Sequence, residues 1–361
     1  MEKVFEIHAH TCLQGLTIPQ IKEILQTEME WTGSYKICLL SLTHHGDHNT
    51  RTTDRTQNVK NLFLKYALGE KAYAFASLEH PLQAIEKKAW SKLLLEQAKE
   101  YCKVGFDGMK MLEGYPSLRK IMGVSLSDEI YDEYYAYMEE NQIPIIMHLA
   151  NPEENWDIEK ADKYAIQMGR VYDESYPTKQ QLQDEMFEIL DKFPKLCLTL
   201  AHMGFMSHSV EDAERYMSYE NTRLDVTPGG EQLIYISEHW DIWKGFFEKY
   251  QDRILYGSDF YPFDAHSEEE RRVAVERRTK FIRQMFETDE TYVYLRTPFK
   301  GVLLDKKIRE KIYYKNAETY LGERREVDLE YVKRTALLLK NERENVDAHC
   351  KEDMEYILSS K

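Results

Sequence analysis

Val4-Phe5-Glu6-Ile7-His8-Ala9-His10 is an apolar run that finishes on two histidines spaced two apart. Side chains two apart on a strand point the same way, so His8 and His10 project together from its C-terminal end. Two imidazoles on one side of a strand form a natural chelate for a metal ion. Alone, His-x-His has little specificity, and a pair of hydrogen-bonded core histidines accounts for it as well. Its weight comes from three other places in the chain.

Ile145-Ile146-Met147-His148 and Thr199-Leu200-Ala201-His202-Met203-Gly204 each set a histidine directly after an apolar run. Leu255-Tyr256-Gly257-Ser258-Asp259 does the same with an aspartate. Singly, each has an ordinary structural account: a histidine bonded to a backbone carbonyl, or an aspartate capping a helix. Together they put metal-ligand residue types at four separate strand ends, which independent structural roles do not produce. In a closed parallel barrel those ends converge on one rim, where barrel enzymes place their active sites.

The chain supplies the strands that such a barrel needs. Eight short apolar runs occupy residues 4–7, 36–42, 72–77, 108–112, 144–147, 196–200, 223–226 and 254–256. Their near-continuous apolar character suits parallel strands covered on both faces. Amphipathic stretches at 17–30, 82–101, 127–141, 178–193, 210–218, 238–250 and 268–286 read as helices between them. Thr17-Ile18-Pro19 is a typical helix opening. The alternation predicts an α/β fold, a (β/α)₈ TIM barrel over residues 1–325 closed by a helix at 305–321. Residues 326–361 read as a C-terminal helical extension with a weak apolar stripe at Leu329, Val332, Ala336 and Leu339. It packs either on the barrel or on a second copy, in which case the chain is a homodimer.

Composition narrows the setting. The chain has 361 residues, 42% of them hydrophobic and 31% charged, with a formal charge of −15. No Lys/Arg-rich stripe interrupts the acidic background, which argues against nucleic acid or an anionic membrane as a partner. A chain this long folds without disulfides or structural metal, so any metal serves chemistry. The five cysteines are odd in number, without a Cys-x-x-Cys pair, and fit core thiols in a reducing cytoplasm. The N-terminus enters a strand directly, without a signal peptide, and no apolar stretch is long enough to span a bilayer. The expectation is a cytoplasmic enzyme acting on a small molecule.

The joint pattern of His-x-His on the first strand, His148 and His202 on the fifth and sixth, and Gly257-Ser258-Asp259 on the eighth resembles the amidohydrolase superfamily. It is most similar to the amidohydrolase-2 branch, which includes aminocarboxymuconate semialdehyde decarboxylase and related aromatic-acid decarboxylases. The resemblance runs from His8 to about Leu321 and includes Phe193-Pro194-Lys195 and Asp252-Arg253-Ile254. It implies that His8, His10 and His148 are metal ligands and that Asp259 is the ligand or proton acceptor from the eighth strand. It places His202 near the metal, polarising substrate or assisting proton transfer. The default ion is one Zn²⁺, with Mn²⁺ or Fe²⁺ also accommodated.

Lys110, in Gly108-Met109-Lys110-Met111-Leu112, has two readings. It is an active-site cation beside a single metal, or a carboxylated lysine bridging a second ion. The first is favoured. Thr43-His44-His45-Gly46-Asp47-His48-Asn49-Thr50-Arg51 either grips an anionic substrate, adds a ligand, or is a solvated loop. Glu113, Tyr115, Pro116, Asn151, Pro152, Trp156 and Glu231 are loop groups for specificity, and Cys12 is a packed thiol or a ligand. The reaction expected first is hydrolysis of a small carbonyl, amide or lactone substrate by a metal-activated water, with Asp259 accepting the proton. The alternative is non-oxidative decarboxylation of an aromatic or unsaturated carboxylic acid.

Overall fold

Every one of the eight apolar runs forms a strand in the computed structural model, which describes residues 2–11, 16–42, 54–81, 83–228, 232–260, 267–294, 297–342 and 349–360. They are β1 (Val4–Ala9), β2 (Ser34–Leu40), β3 (Ala72–Ser77), β4 (Gly108–Gly114), β5 (Ile145–Leu149), β6 (Leu198–Leu200), β7 (Arg223–Asp225) and β8 (Ile254–Leu255). Each pairs in parallel with the next in chain order. The circle closes between β8 and β1 through a parallel bridge of Ala9 with Phe260. There the Ile7 N–H donates to the Tyr256 carbonyl at 3.2 Å, and the His10 N–H to the Phe260 carbonyl at 2.7 Å. The fold is the expected (β/α)₈ barrel.

Local chemistry sets the helix limits. The helix Ile18–Thr32 opens on Thr17 in a capping box with Gln20 and stops at Gly33, whose φ of 75° only glycine adopts cheaply. Lys179–Lys192 opens on a second capping box, Thr178 with Gln181. Lys87–Val104 ends at Gly105, where a Cβ would lie 2.3 Å from the Glu326 carbonyl oxygen. That helix begins later than the stretch 82–101 suggests, and the closing stretch 305–321 is broken by a π turn at Lys311–Lys315.

One barrel helix escapes the apolar period altogether. Asp54–Leu68 buries Thr56, Gln57, Asn58, Lys60, Asn61 and Lys65 as well as Val59, Leu62 and Leu64. Its polar side chains are bonded into strand ends: Asn58 to both the N–H and the carbonyl of Ser77 at 2.9 Å, and Asn61 to the Ser41 hydroxyl at 2.9 Å. Those bonds satisfy the groups that burial would otherwise leave unpaired. A second addition is the antiparallel pair β9 (Thr291–Tyr294) and β10 (Thr297–Lys300).

The C-terminal helices Leu329–Lys340 and Cys350–Ser359 pack on each other and on Asp54–Leu68. Val332, Ala336, Leu339, Met354 and Ile357 are buried there. Asp353 is buried too; it accepts from the Ile18 N–H at 2.6 Å and pairs with Lys60. The extension is thus fastened to the barrel of its own chain. Among the described residues there is no disulfide, and no helix is long and apolar enough to cross a membrane.

Candidate metal centre

His8 lies near the end of β1 and His10 just beyond it, and both are buried. The His8 Nδ1–H donates to Asp225 Oδ2 at 2.8 Å, and the His10 Nδ1–H donates to the Leu40 carbonyl at 2.9 Å. Each ring therefore spends its one neutral N–H on the barrel wall and turns an unprotonated Nε2 inward. The two Nε2 atoms stand 3.1 Å apart. Burial holds both imidazoles neutral, His8 well below its ordinary range and His10 down to about 4. Two lone pairs facing each other at that distance repel unless a cation lies between them.

Asp259 completes the arrangement, with Oδ1 at 3.5 Å from His10 Nε2 and 3.8 Å from His8 Nε2. Donors bound to one ion at about 2.1 Å in a tetrahedral site stand roughly 3.4 Å from each other, so the three spacings match a shared ion. Burial raises the Asp259 carboxyl, but its positively charged neighbours, Arg278 first and Lys110 among them, outweigh it and hold the group below the usual carboxylate range. The Arg278 guanidinium lies 3.8 Å from Oδ2. Asp259 sits at φ 53°, a left-handed conformation that costs a residue with a Cβ about 1–2 kcal/mol. The β1–β8 bonds on either side of it, together with Glu6, keep it there. The Glu6 carboxylate accepts from the Ser258 N–H at 3.0 Å, the Ser258 hydroxyl at 2.7 Å and the His8 N–H at 2.9 Å. Gly257 admits no side chain, since a Cβ would meet Thr227 Oγ1 at 2.5 Å.

His202 follows β6 in a run of left-handed residues, with φ of 55° at His202, 54° at Met203 and 60° at Gly204. One donor atom each from His8, His202 and Asp259 lies within 4.8 Å of the others. His202 Nδ1 is buried without a hydrogen-bond partner among the described residues. His148, on β5, stands beside His202 with ring centroids 5.1 Å apart. Its Nε2 is taken by the Ala150 carbonyl at 3.0 Å, leaving Nδ1 as its remaining donor.

Lys110 lies within β4, which continues to Gly114, and pairs with Ser77 and Ile146 in the sheet. It is 1% exposed, and its Nζ has no hydrogen-bond partner among the described residues. Burial brings it down to about 8, against the opposing pull of Asp225, Asp259 and Glu113.

Asp225, Glu6 and Arg278 were not singled out in the sequence. The available signal was a carboxylate inside an apolar strand, at Leu224-Asp225-Val226 and again at Phe5-Glu6-Ile7. Of the loop groups, Tyr115 packs on His148, and Asn151 donates to the Tyr172 hydroxyl at 2.6 Å. The Trp156 N–H bonds the Pro177 carbonyl at 3.0 Å, so this loop is tied to its own neighbours. Glu113 accepts from His80 at 2.8 Å. Cys12, Glu231 and the stretch from His44 to Arg51 lie outside the described residues.

The imidazoles and the carboxylate gathered at the C-terminal rim of this α/β barrel are groups of the kind that ligate a metal ion, at the end where barrel enzymes carry their sites. The chain belongs to the amidohydrolase family, whose model matches residues 92–322. Among solved structures it is similar to a 2,6-dihydroxybenzoate decarboxylase from Rhizobium, with TM-score 0.52, 15% identity, and coverage of 89% of this chain and 99% of that one. A dihydroxybenzoic acid decarboxylase from a Polaromonas species, solved with manganese and 2-nitroresorcinol, gives 0.52 and 14%, over 89% of this chain and 97% of that one. A 4-oxalomesaconate hydratase from Rhodopseudomonas palustris gives 0.51 and 14%, over 88% and 95%. At these identities the likeness is one of fold. No curated protein matches the chain by sequence.

Proposed function

We propose that the chain is a metal-dependent lyase that removes CO₂ non-oxidatively from a small aromatic or unsaturated carboxylic acid. The observation that carries this reading is Lys110: a buried ammonium without a hydrogen-bond partner among the described residues, inside the barrel that bears the metal-type ligands. A buried cation left unpaired is costly, and a substrate carboxylate is the group that would answer it. The fold neighbours, two decarboxylases and a hydratase acting on such acids, support the same direction. This ranks decarboxylation above the hydrolysis that was expected first.

His8, His10 and Asp259 would hold one divalent ion, zinc or manganese, with His202 or His148 completing the set. When bound, the ion would supply a Lewis acid drawing electron density from the substrate's oxygens. Lys110 would anchor the carboxylate. Asp259, ionised at neutral pH, would take the proton of a neighbouring hydroxyl and return it to the carbon bearing the carboxylate. The C–CO₂ bond would then break and its electron pair would restore the ring or double bond, so atoms and charge balance.

Asp259 also supports the second reading, hydrolysis, because a carboxylate held ionised can accept a proton from water. One experiment separates the two. The purified chain, loaded with Zn²⁺ or Mn²⁺, is incubated with hydroxybenzoates, unsaturated acids, amides and lactones in D₂O and in H₂¹⁸O. Decarboxylation releases CO₂ and leaves one deuterium on the carbon that lost it, without ¹⁸O in the organic product. Uptake of ¹⁸O into the product without CO₂ release would restore the hydrolase.

A further inference from the structure

Asp225 on β7 is fully buried, and its two oxygens serve three donors. Oδ2 accepts from His8 Nδ1–H at 2.8 Å; Oδ1 accepts from the backbone N–H of His202 at 2.7 Å and of Thr227 at 3.1 Å. We propose that Asp225 is a positioning residue that sets the tautomer of His8 and at the same time holds the left-handed turn carrying His202. One carboxylate thereby aims two sides of the site. This rests on the reading of His8 as a metal ligand.

A neutral imidazole has a single N–H, and a carboxylate can only accept. While Asp225 faces Nδ1, the proton stays on Nδ1 and Nε2 keeps the lone pair that points toward His10 Nε2. Thr227 Oγ1 also lies near Nδ1, but at 3.3 Å it is the more distant partner. The second oxygen works on the backbone. Four consecutive residues at positive φ, His202, Met203, Gly204 and Phe205, persist only where the surroundings over-determine them. Asp225 Oδ1 bonds the first N–H of that run.

Asp225→Asn separates the two jobs. The amide has the same shape and one acceptor oxygen. Turning that oxygen to His202 and Thr227 leaves the NH₂ facing His8; the reverse orientation would set two backbone N–H groups against the NH₂ and is worse. With a donor opposite it, Nδ1 must accept, so the proton moves to Nε2 and covers the lone pair needed for a metal. The backbone bonds remain. Loss of such an outer hydrogen-bond partner lowers metal affinity about 10–100-fold.

The test measures Zn²⁺ and Mn²⁺ affinity by chelator competition, apo-protein melting, and ¹⁵N shifts of the histidine rings, for wild type, Asp225→Asn, Asp225→Ala, Asp225→Glu and His8→Ala. Asp225→Asn is expected to lose 10–100-fold in metal affinity, to melt as the wild-type apo protein does, and to show His8 as the Nε2–H tautomer. Asp225→Ala is expected to lose both metal affinity and apo stability. Should Asp225→Asn not fold, Asp225→Glu, again acceptor-only, is expected to bind metal more tightly than Asp225→Ala. Wild-type metal affinity and an unchanged His8 tautomer in Asp225→Asn, or equal affinities for Glu and Ala, overturn the proposal. Unchanged metal affinity in His8→Ala sinks the metal-site reading instead, and the tautomer measurement still decides whether Asp225 controls His8.

Discussion

Two buried lysines stand at opposite levels of the barrel, and their surroundings differ in kind. Lys65, at the base, donates to the Gly105 carbonyl at 2.7 Å and to Asp107 at 2.7–2.8 Å. Asp107 in turn accepts from the Ala74 and Arg325 N–H groups at 2.9 Å. Lys110, inside the upper barrel, is as deeply buried, yet its Nζ has no hydrogen-bond partner among the described residues. Burial lowers both. Equal burial with every bond made marks a group that holds the fold. Equal burial with the bond left open marks a group waiting for a ligand.

Replacing each lysine by methionine separates the two roles. Lys110→Met removes an unpaired charge, so the apo chain should melt no lower than wild type. The cost should fall on substrate, because truncating one partner of a buried charge pair costs about 2–5 kcal/mol, roughly 30-fold to several thousand-fold in KM. Lys65→Met leaves Asp107 buried without its cation, and breaking such a pair costs about 3–5 kcal/mol of stability. Whatever folded enzyme remains should keep its KM. Thermal melts with steady-state kinetics check both. A Lys110→Met chain that unfolds early with normal KM would reverse the assignment.

Two glycines extend the contrast with a smaller effect. A Cβ on Gly257 would press on Thr227 Oγ1 and on His8 Cβ at 2.9 Å, while one on Gly105 would press on the Glu326 carbonyl and on Val327. Overpacking of this kind costs about 1–3 kcal/mol. In Gly257→Ala the displacement should reach Asp259 and weaken metal binding. In Gly105→Ala it should loosen the C-terminal extension and leave metal affinity alone. Chelator competition beside denaturant unfolding distinguishes them.

How much of this could be read from residues alone follows the same division. The eight strands were legible because parallel strands are apolar on both faces, and Ala72–Ser77 is matched to the residue. The metal-type residues were legible because they stand where apolar runs stop. What escaped was polar and internal. The helix Asp54–Leu68 hid because its buried face carries asparagine, glutamine and lysine bonded to strand ends, which breaks the hydrophobic period. Asp225 and Glu6 hid because a carboxylate within an apolar strand looks like an interruption until the circle closes and brings His202 and Ser258 against them. Lys110 was seen, but the lack of any hydrogen-bond partner for its Nζ among the described residues was not. Long-range partners decide all of these, and local pattern does not contain them.

The smallest predicted effect is also the one whose sign is hardest to imitate. In the folded chain Lys110 titrates near 8, below its ordinary 10.5. A divalent ion nearby repels the ammonium and moves that value to about 8 or lower. If the ammonium grips the substrate carboxylate, KM should begin to rise around that pH and climb by at most about tenfold per unit. Stability should move the other way. Above the folded value the unfolded chain binds more protons at this lysine than the folded chain does, so the lysine's contribution to stability rises with pH up to its ordinary range. The burial cost is fully present below the folded value and is relieved above it. Comparing wild type with Lys110→Met across pH 7 to 10 isolates both trends, since every other group cancels in the difference. A wild-type KM that stays flat through this range while the stability difference still changes would show that Lys110 is buried and titrating but does not touch substrate.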